Sequence, residues 1–485
     1  MENITKRITE KGFLVSSNLK INEKDLDDFL RYLLSLKNKP FIVSNDTYND
    51  FLKSKQKEYV IIKKHEKRPE IPTKVKLRKI YNHTNKKIDI NDWVAYYYDR
   101  FNKISNILKN RDELRSATTI SRVKKINGRQ QVALIGMIKD IRKTFTGTTI
   151  FELEDPTGFL KVIVKGEEAV KKVDELVLDE VIGVIGTKSK DVVYADKIIF
   201  PDIPERPIKK ANEEVYAAFI SDTHVGSNMF LAKEFSHFIK WLKGEIGTPQ
   251  QREIAKKVRY LFVIGDLVDG IGVYPNQEKE LSIHDIYRQY EEFSKYFVDI
   301  PEDINIIVIP GNHDALRLAE PQHVLFQDIA EPVYKINNAI MASNPAVINI
   351  HNIDDFPGFD VLLYHGMSFD NLVSNVPFLR KHGYERADLI MEFLLKKRHL
   401  APSHGSTLIN PMAQDFLVID KPVDIFASGH IHYTKLGRYK NVLTIGTGCF
   451  QEKTPFQEKL GHNPTPGRVP IVNLKSFQAK IMKFR

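Results

Sequence analysis

Hydrophobic positions along the chain follow three patterns in succession. From Asn22, a plausible N-cap, Leu26, Phe29, Leu30, Leu33 and Leu34 recur at helical spacing as far as Lys37. This predicts a small helical unit over residues 1–52. A second helical stripe begins at Asn91 and lines up Trp93, Tyr97, Phe101, Ile104 and Leu108, a spacing that reads as packing. Between Gln131 and Ile199 the period changes to that of strands. Five are expected: Val132–Ile138, Thr149–Glu154, Phe159–Val164, Val181–Gly186 and Val192–Ile199. A short helical piece, Glu167–Leu176, falls after the third, which is the order of an OB-fold β-barrel.

Beyond residue 212 the apolar runs become short and dense. Val215–Ile220, Tyr260–Ile264, Ile304–Ile309, Val361–Tyr364 and Ile425–Ala427 are each followed within a residue or two by Asp, Gly or His. Runs of that length and β-branched content read as buried strands of an α/β fold, and such sheets present their ligand sites at the carboxyl ends of the strands. Phe235–Lys243 reads as a helix crossing the sheet, and Val469–Leu474 as a strand near the end. The expected organisation is a helical domain (1–52), a basic linker and helix (53–128), an OB-fold domain (129–205) and an α/β domain (212–485).

Charge changes this picture modestly. The net charge is +10, from 72 Lys+Arg against 62 Asp+Glu, which suits a polyanionic partner although excess lysine also serves solubility. Residues 53–79 concentrate eleven Lys/Arg against three Glu, with Pro69 and Pro72, and read as a linker able to meet a phosphate backbone. The single cysteine, Cys449, excludes a disulfide framework and a cysteine-based metal site, and reads as a small buried hydrophobe. The opening MENITKRITEKGF lacks the apolar stretch of a signal peptide, and no run reaches membrane-span length. The expected location is cytoplasmic, with no membrane partner.

The five strand ends carry the chemistry: Asp222 and His224, Asp266, Asn312 and His313, His365, and His430 and His432. Carboxylate, imidazole and amide donors suit Mn, Fe, Zn or Ni. Two ions about 3.5–4 Å apart clamp a phosphoryl group and activate a water, an arrangement that needs one bridging anion. Asp266 is the natural bridge.

The series D-x-H (222–224), GD-x-x-D (265–269), GNHD (311–314), His365 and GHxH (429–432) resembles the calcineurin-type metallophosphoesterases. The resemblance implies a β-sandwich flanked by helices and two divalent cations, Mn²⁺ being the expectation for a nuclease. It implies that Asp222, His224, Asp266 and His432 hold one ion, and that Asp266, Asn312, His365 and His430 hold the other. His313 would stay off the ions and act at the phosphate as general acid or charge stabiliser, with Asp269 orienting it through a hydrogen bond to its ring. The family often has GNHE where this chain has GNHD, but Asp314 is not a ligand in this scheme.

The order of parts is similar to that of the B-subunits of replicative DNA polymerases. More closely, SDTHVGS (221–227), GDLVDGIGVYP (265–275), PGNHDALRLAEPQ (310–322), KKRHLAPSHG (396–405) and NPTPGRVPIVNL (463–474) resemble the small subunits of archaeal family-D DNA polymerases, from about residue 90 to the C-terminus. This implies 3′→5′ exonuclease proofreading in DNA replication, acting on single-stranded 3′ ends in a heterodimer or larger assembly with a large polymerising subunit. Eukaryotic B-subunits have lost metal ligands, whereas every ligand position is kept here. Two other readings stand beside it: a non-catalytic polymerase scaffold, and a free-standing metallophosphatase or phosphodiesterase. Tyr274, in the turn-rich loop 270–275, is expected near the substrate entrance or in a surface loop. The sixty residues between His365 and Gly429 carry Arg380, Lys381, Arg386 and the run Lys396-Lys397-Arg398-His399. They are expected either to meet DNA phosphates beside the metal edge or to form a structural pair of helices.

Overall fold

A computed structural model describes residues 2–16, 19–22, 25–36, 39–40, 42–52, 68–82, 87–459 and 463–485. The chain divides into two compact units, Met1–Pro69 and Glu70–Arg485. In the first, helices Glu2–Thr9, Leu26–Ser35 and 45–52 enclose Ile8, Phe29, Leu33, Tyr48 and Phe51, with a two-residue parallel pair, β1 (Leu14–Val15) and β2 (Ile42–Val43), alongside. The Phe29 ring meets those of Tyr48 and Phe51 at 5.3 and 5.2 Å, so aromatic contacts add to the aliphatic packing of this core. The second helix starts at Leu26 with Asp25 at its cap, later than the predicted Asn22. Asn22 instead accepts the Asp25 amide in a preceding turn, and Tyr48 donates to the Asp25 carboxylate.

Of the stretch read as a basic linker, 53–67 lies outside the described residues, and part of the remainder is not linker. Val75–Lys79 (β3) pairs antiparallel with a strand of the main core and forms the edge of its sheet. Exposed Lys76 and Arg78 suit that position, since charges blunt an open edge. The long helix Ile90–Lys109 is started by a capping box between Asp89 and Asp92. Its buried face runs through Tyr96, Arg100, Ile104 and Leu108, and leaves Trp93, Tyr97 and Phe101 half-buried. The predicted stripe is therefore rotated, because the helix buries an arginine that a hydrophobic pattern does not count.

Gln130–Lys143 (β4), Thr149–Asp155 (β5), Gly158–Val164 (β6), Val181–Ser189 (β7) and Val192–Ile199 (β8) close into a barrel of order β4-β5-β6-β8-β7, with the short helix Glu167–Val170 after the third strand. Every second residue points inward: Phe151, Leu153, Leu160, Val162, Val164 and Val184 are buried in one cluster. This is the predicted OB-type barrel.

The remaining strands form two six-stranded sheets. The first uses Tyr216–Ile220 (β9), Val258–Ile264 (β10), Asn305–Ile309 (β11) and Ala339–Met341 (β12). The second uses Ala346–Ile350 (β13), Phe359–Tyr364 (β14), Ile425–Ser428 (β15), Thr434–Tyr439 (β16) and Val442–Thr447 (β17). Arg468–Asn473 (β18) and Gln478–Lys483 (β19) return to the first, giving the orders β12-β11-β10-β9-β18-β19 and β16-β17-β15-β14-β13-β3. The sheets pack face to face. Tyr260, Phe262 and Ile264 of β10 meet Ile348, Val361, Leu363 and Ile425 in one apolar layer, while Leu261 and Val263 turn to the helices Ala232–Leu242 and Ile286–Phe297 on the other side. Both faces of β10 are buried, which explains its apolar run from Tyr260 to Ile264. The adjacent parallel strands β9, β10 and β11 and the parallel pair β14–β15 end at the loops that carry the motifs. Among the described residues, no helix is long and apolar enough to cross a membrane.

The run Lys396–His399 does not face a phosphate path. Lys397 is buried and paired with buried Glu180 of the barrel (2.8 Å), and Lys396 pairs with Glu175 (3.2 Å). His399 bonds Asp415 (2.8 Å), which also accepts from Arg100 of the long helix (2.8 Å). Arg386 is committed to Asp388. The structural alternative describes most of this segment. Its charges sit at the seam where the barrel, the long helix and the sandwich meet.

Candidate metal centre

Short apolar strands leave their final residues at the sheet edge, and here the chain turns sharply after each. Asp222, His224, Asp266, His430 and His432 all have positive φ, between 48° and 71°. For residues with a Cβ this backbone is disfavoured, and it persists where surrounding contacts over-determine it. Glycines give the room. A Cβ on Gly311 would fall on the Asp266 carboxylate, and one on Gly265 (φ +79°) would strike His365.

The predicted residues converge. Ligand atoms of Asp222, His224 and His432 lie within 4.8 Å of one another, as do those of Asp266, His365 and His430, and those of His224, Asp266 and His313. Asp266 belongs to two of these groups, in keeping with a bridge. Its Oδ2 lies 3.3 Å from His365 Nε2 and 3.7 Å from His224 Nε2, and its Oδ1 accepts the His313 amide at 2.8 Å. Asp222 accepts the His430 amide (3.0 Å) and lies 3.3 Å from His432 Nε2. Asn312 Oδ1 stands 3.1 Å from His365 Nε2.

These donors fit a cation. Asp222 and Asp266 are buried, and among the described residues their ion-pair partners are histidines, with no lysine or arginine. Nε2 of His224 and Nε2 of His432 face each other at 3.1 Å, an approach that only a shared proton or a shared cation makes favourable. Burial would raise the Asp266 carboxyl, but His365, His313 and His224 hold it well below the usual range. Burial would lower His365, yet Asp266 outweighs it and lifts the ring to about 10. A bound cation takes the place of such a proton.

Asp269 departs from the expectation drawn for it. Its carboxylate meets His224 Nδ1 at 3.0 Å, and only its backbone carbonyl reaches His313, accepting from Nδ1 at 2.7 Å. The glutamine amides of Gln277 and Gln451 also donate to the carboxylate, at 3.1 and 3.0 Å. Asp269 thus orients His313 through the main chain and His224 through its side chain. The His313 ring is lowered by burial, a loss that nearby Asp266 only partly offsets. With Nδ1–H given to a carbonyl, its Nε2 is the nitrogen free for chemistry. Tyr274 stands beside it, ring centres 6.2 Å apart, and donates to Glu280.

Several supporting residues carried no motif. Ser221 bonds Asp222 and Thr447. Asn344 accepts the His365 amide (2.9 Å) and donates to Gln322 (2.8 Å). Asp314, given no role in advance, is buried and accepts from Gly311 N (2.9 Å), Leu267 N (3.4 Å) and Tyr290 OH (3.2 Å), tying two motif loops together. Burial and the Asp266 charge push its carboxyl up to about 7. A carboxylate directly after GNH was the available signal for Asp314; the others come from stretches with no chemical pattern.

The calcineurin-like phosphoesterase family matches residues 216–434. The chain is 42% identical over 388 residues to the DNA polymerase II small subunit of Methanothermobacter thermautotrophicus, covering 79% of this chain and 78% of that one. It is 41% identical over 396 residues to the protein of that name from Methanocaldococcus jannaschii, covering 81% of this chain and 65% of the other. The counterpart from Archaeoglobus fulgidus is 37% identical over 454 residues, covering 92% and 89%.

Proposed function

The chain belongs to the family of archaeal DNA polymerase II small subunits, and from that premise we propose that it is a metal-dependent 3′→5′ DNA exonuclease proofreading for a large polymerising subunit. Two divalent cations, Mn²⁺ foremost among Mn, Fe, Zn and Ni, would supply positive charge at the phosphoryl oxygens and a more acidic water. Asp222, His224, Asp266 and His432 would hold one, and Asp266, Asn312, His365 and His430 the other. The substrate is a frayed single-stranded 3′ end whose last phosphodiester enters the edge of the sheets. His313, held through Nδ1–H by the Asp269 carbonyl (2.7 Å), would act from Nε2 as the imidazolium, giving its Nε2 proton to the leaving oxygen or to the charge that develops on the phosphate. Asp269 accepts from His224 Nδ1 (3.0 Å) and so keeps that ring in the tautomer whose Nε2 lone pair is free to bind a cation.

The observation that carries this reading is the pair of buried carboxylates, Asp222 and Asp266, with histidines as their only ion-pair partners among the described residues. A purely architectural subunit has no use for such a cluster, because uncompensated buried charge costs several kcal/mol. The test is hydrolysis of 3′-labelled and 5′-labelled single-stranded oligonucleotides by the full chain, with Mn²⁺ and with EDTA. Stepwise shortening from the 3′ end, seen only with Mn²⁺, is the expected outcome. Hydrolysis of a small phosphate ester with DNA untouched would favour a small-substrate phosphoesterase. Failure on both, with the large subunit present, would leave a scaffold.

A further inference from the structure

Each candidate ligand histidine uses one ring nitrogen at the centre and has the other engaged behind it. His224 is backed by the Asp269 carboxylate (3.0 Å), His365 by the Ile264 carbonyl (2.9 Å) and His432 by the Gln457 amide (2.9 Å). The fourth differs. His430 Nε2 lies 3.0 Å from Oδ2 of Asp370, a residue outside every motif, in the segment between His365 and Gly429. The Asp370 side chain is 51% exposed.

Its backbone is nevertheless fixed. Asp370 lies in the helix Phe369–Asn375, whose Phe369 and Leu372 are buried. The preceding Ser368 donates its hydroxyl to Leu400 O (2.6 Å) and its amide to Tyr364 OH (3.1 Å), and the following Asn371 donates to Gly405 O (2.9 Å). The hydroxyl of Tyr384 is a second partner of the carboxylate. On the other side, His430 has its amide pinned by Asp222 (3.0 Å). With Nε2 on Asp370, the ring nitrogen left for the cluster with Asp266 and His365 is Nδ1.

We infer that Asp370 is a positioning residue for His430, accepting its Nε2–H and so fixing the tautomer and ring angle that present Nδ1 to the cation shared with Asp266 and His365. The inference rests on the metal reading above. It gives the long segment after His365 a part in the centre that differs from contact with DNA phosphates: it reaches in from the rim and sets one ligand. A carboxylate behind a ligating imidazole also makes that ring a stronger donor, and removing such a partner lowers metal affinity by about 10–100-fold.

Calorimetric titration of the full chain with Mn²⁺ tests this. Wild type should take up two ions. Asp370→Ala should weaken one by about 10–100-fold and leave the other unchanged, whereas Asp370→Asn, whose amide oxygen still accepts from Nε2–H, should keep most of that affinity. The Asp370→Ala/His430→Ala double variant should lose no more than His430→Ala alone, because the effect passes through that ring. Equal affinities in Asp370→Ala and wild type, with two ions bound, would overturn the inference alone. Asp370→Asn losing as much as Asp370→Ala would also overturn it, since the carboxylate would then touch the cation directly. A wild-type chain that takes up no Mn²⁺ would overturn the metal reading and this inference with it.

Discussion

Two regions of the larger unit bury clustered charge, and they do so in opposite ways. At the seam, Arg100 is fully enclosed and spends its donors on Asp415 (2.8 Å), Pro402 O (2.7 Å) and Tyr96 OH (2.8 Å), with the rings of Tyr96 and Tyr97 each 5.1 Å away. Lys397 and Glu180 neutralise each other close by, at 2.8 Å. At the sheet edge, Asp222 and Asp266 are buried with histidines for company. The seam is complete in itself, and its charges hold the barrel and the long helix against the sandwich. At the edge, among the described residues, the carboxylates face histidines and no lysine or arginine, and a cation can take the place of the protons those histidines share with them. Burial and perturbed ionisation are common to both regions. The feature that separates scaffold from chemistry is whether the charge is already balanced.

The contrast can be broken most severely at Asp266. Asp266→Asn should abolish Mn²⁺ uptake and DNA hydrolysis together, and should also lower the Tm of the metal-free chain, because His365 loses the carboxylate that holds its charge. Mn²⁺ uptake equal to wild type by calorimetry would remove Asp266 from the centre.

His313→Ala separates holding from acting. Turnover should fall by about 10²–10⁴-fold, with Mn²⁺ stoichiometry unchanged by calorimetry. Full activity would remove His313 from the catalytic role.

At the seam the readouts should exchange. Arg100→Met strands Asp415 and should cost about 3–5 kcal/mol in denaturant unfolding, with Mn²⁺ affinity intact. Replacing both partners of the neighbouring pair, Lys397→Met with Glu180→Leu, should be close to neutral, since a buried ion pair is no more stabilising than good apolar packing.

A further effect at the seam is in pH. His399 Nδ1 accepts the Ala401 amide (3.0 Å), so the ring is neutral with its proton on Nε2, facing Asp415. Burial, with Arg100 close by, depresses the ring to about 4. A histidine depressed in the folded state takes up protons more readily when unfolded. Its contribution is therefore fully present above the unfolded value of about 6.5 and is lost as pH falls toward 4, on the order of 2 kcal/mol by about pH 5. His399→Gln should flatten the fall in Tm between about pH 7 and 5 relative to wild type; an equally steep fall would place the effect elsewhere.

The same division separates what was legible in the sequence from what was not. The barrel strands and the strands ending at Ile220, Ile264, Ile309, Tyr364 and Ser428 could be read because apolar periodicity is local, and so could the residues at their ends. Strands β12, β13, β16, β17 and β19 were not anticipated: β12 has three residues, and β16 and β19 carry exposed lysine or arginine that blurs the alternation.

The sequence by itself determined the donor set and the order in which it is delivered, because each ligand sits next to the strand that carries it and chemical identity needs no third dimension. Tertiary structure alone decided where the remaining charges went. Lys397 meets a carboxylate 217 residues away, Arg100 one 315 residues away, and His430 one 60 residues away. A basic run looks the same in sequence whether it awaits a phosphate or already has its partner. Only the packing of one element on another shows which charges meet a partner of opposite charge and which meet histidines alone.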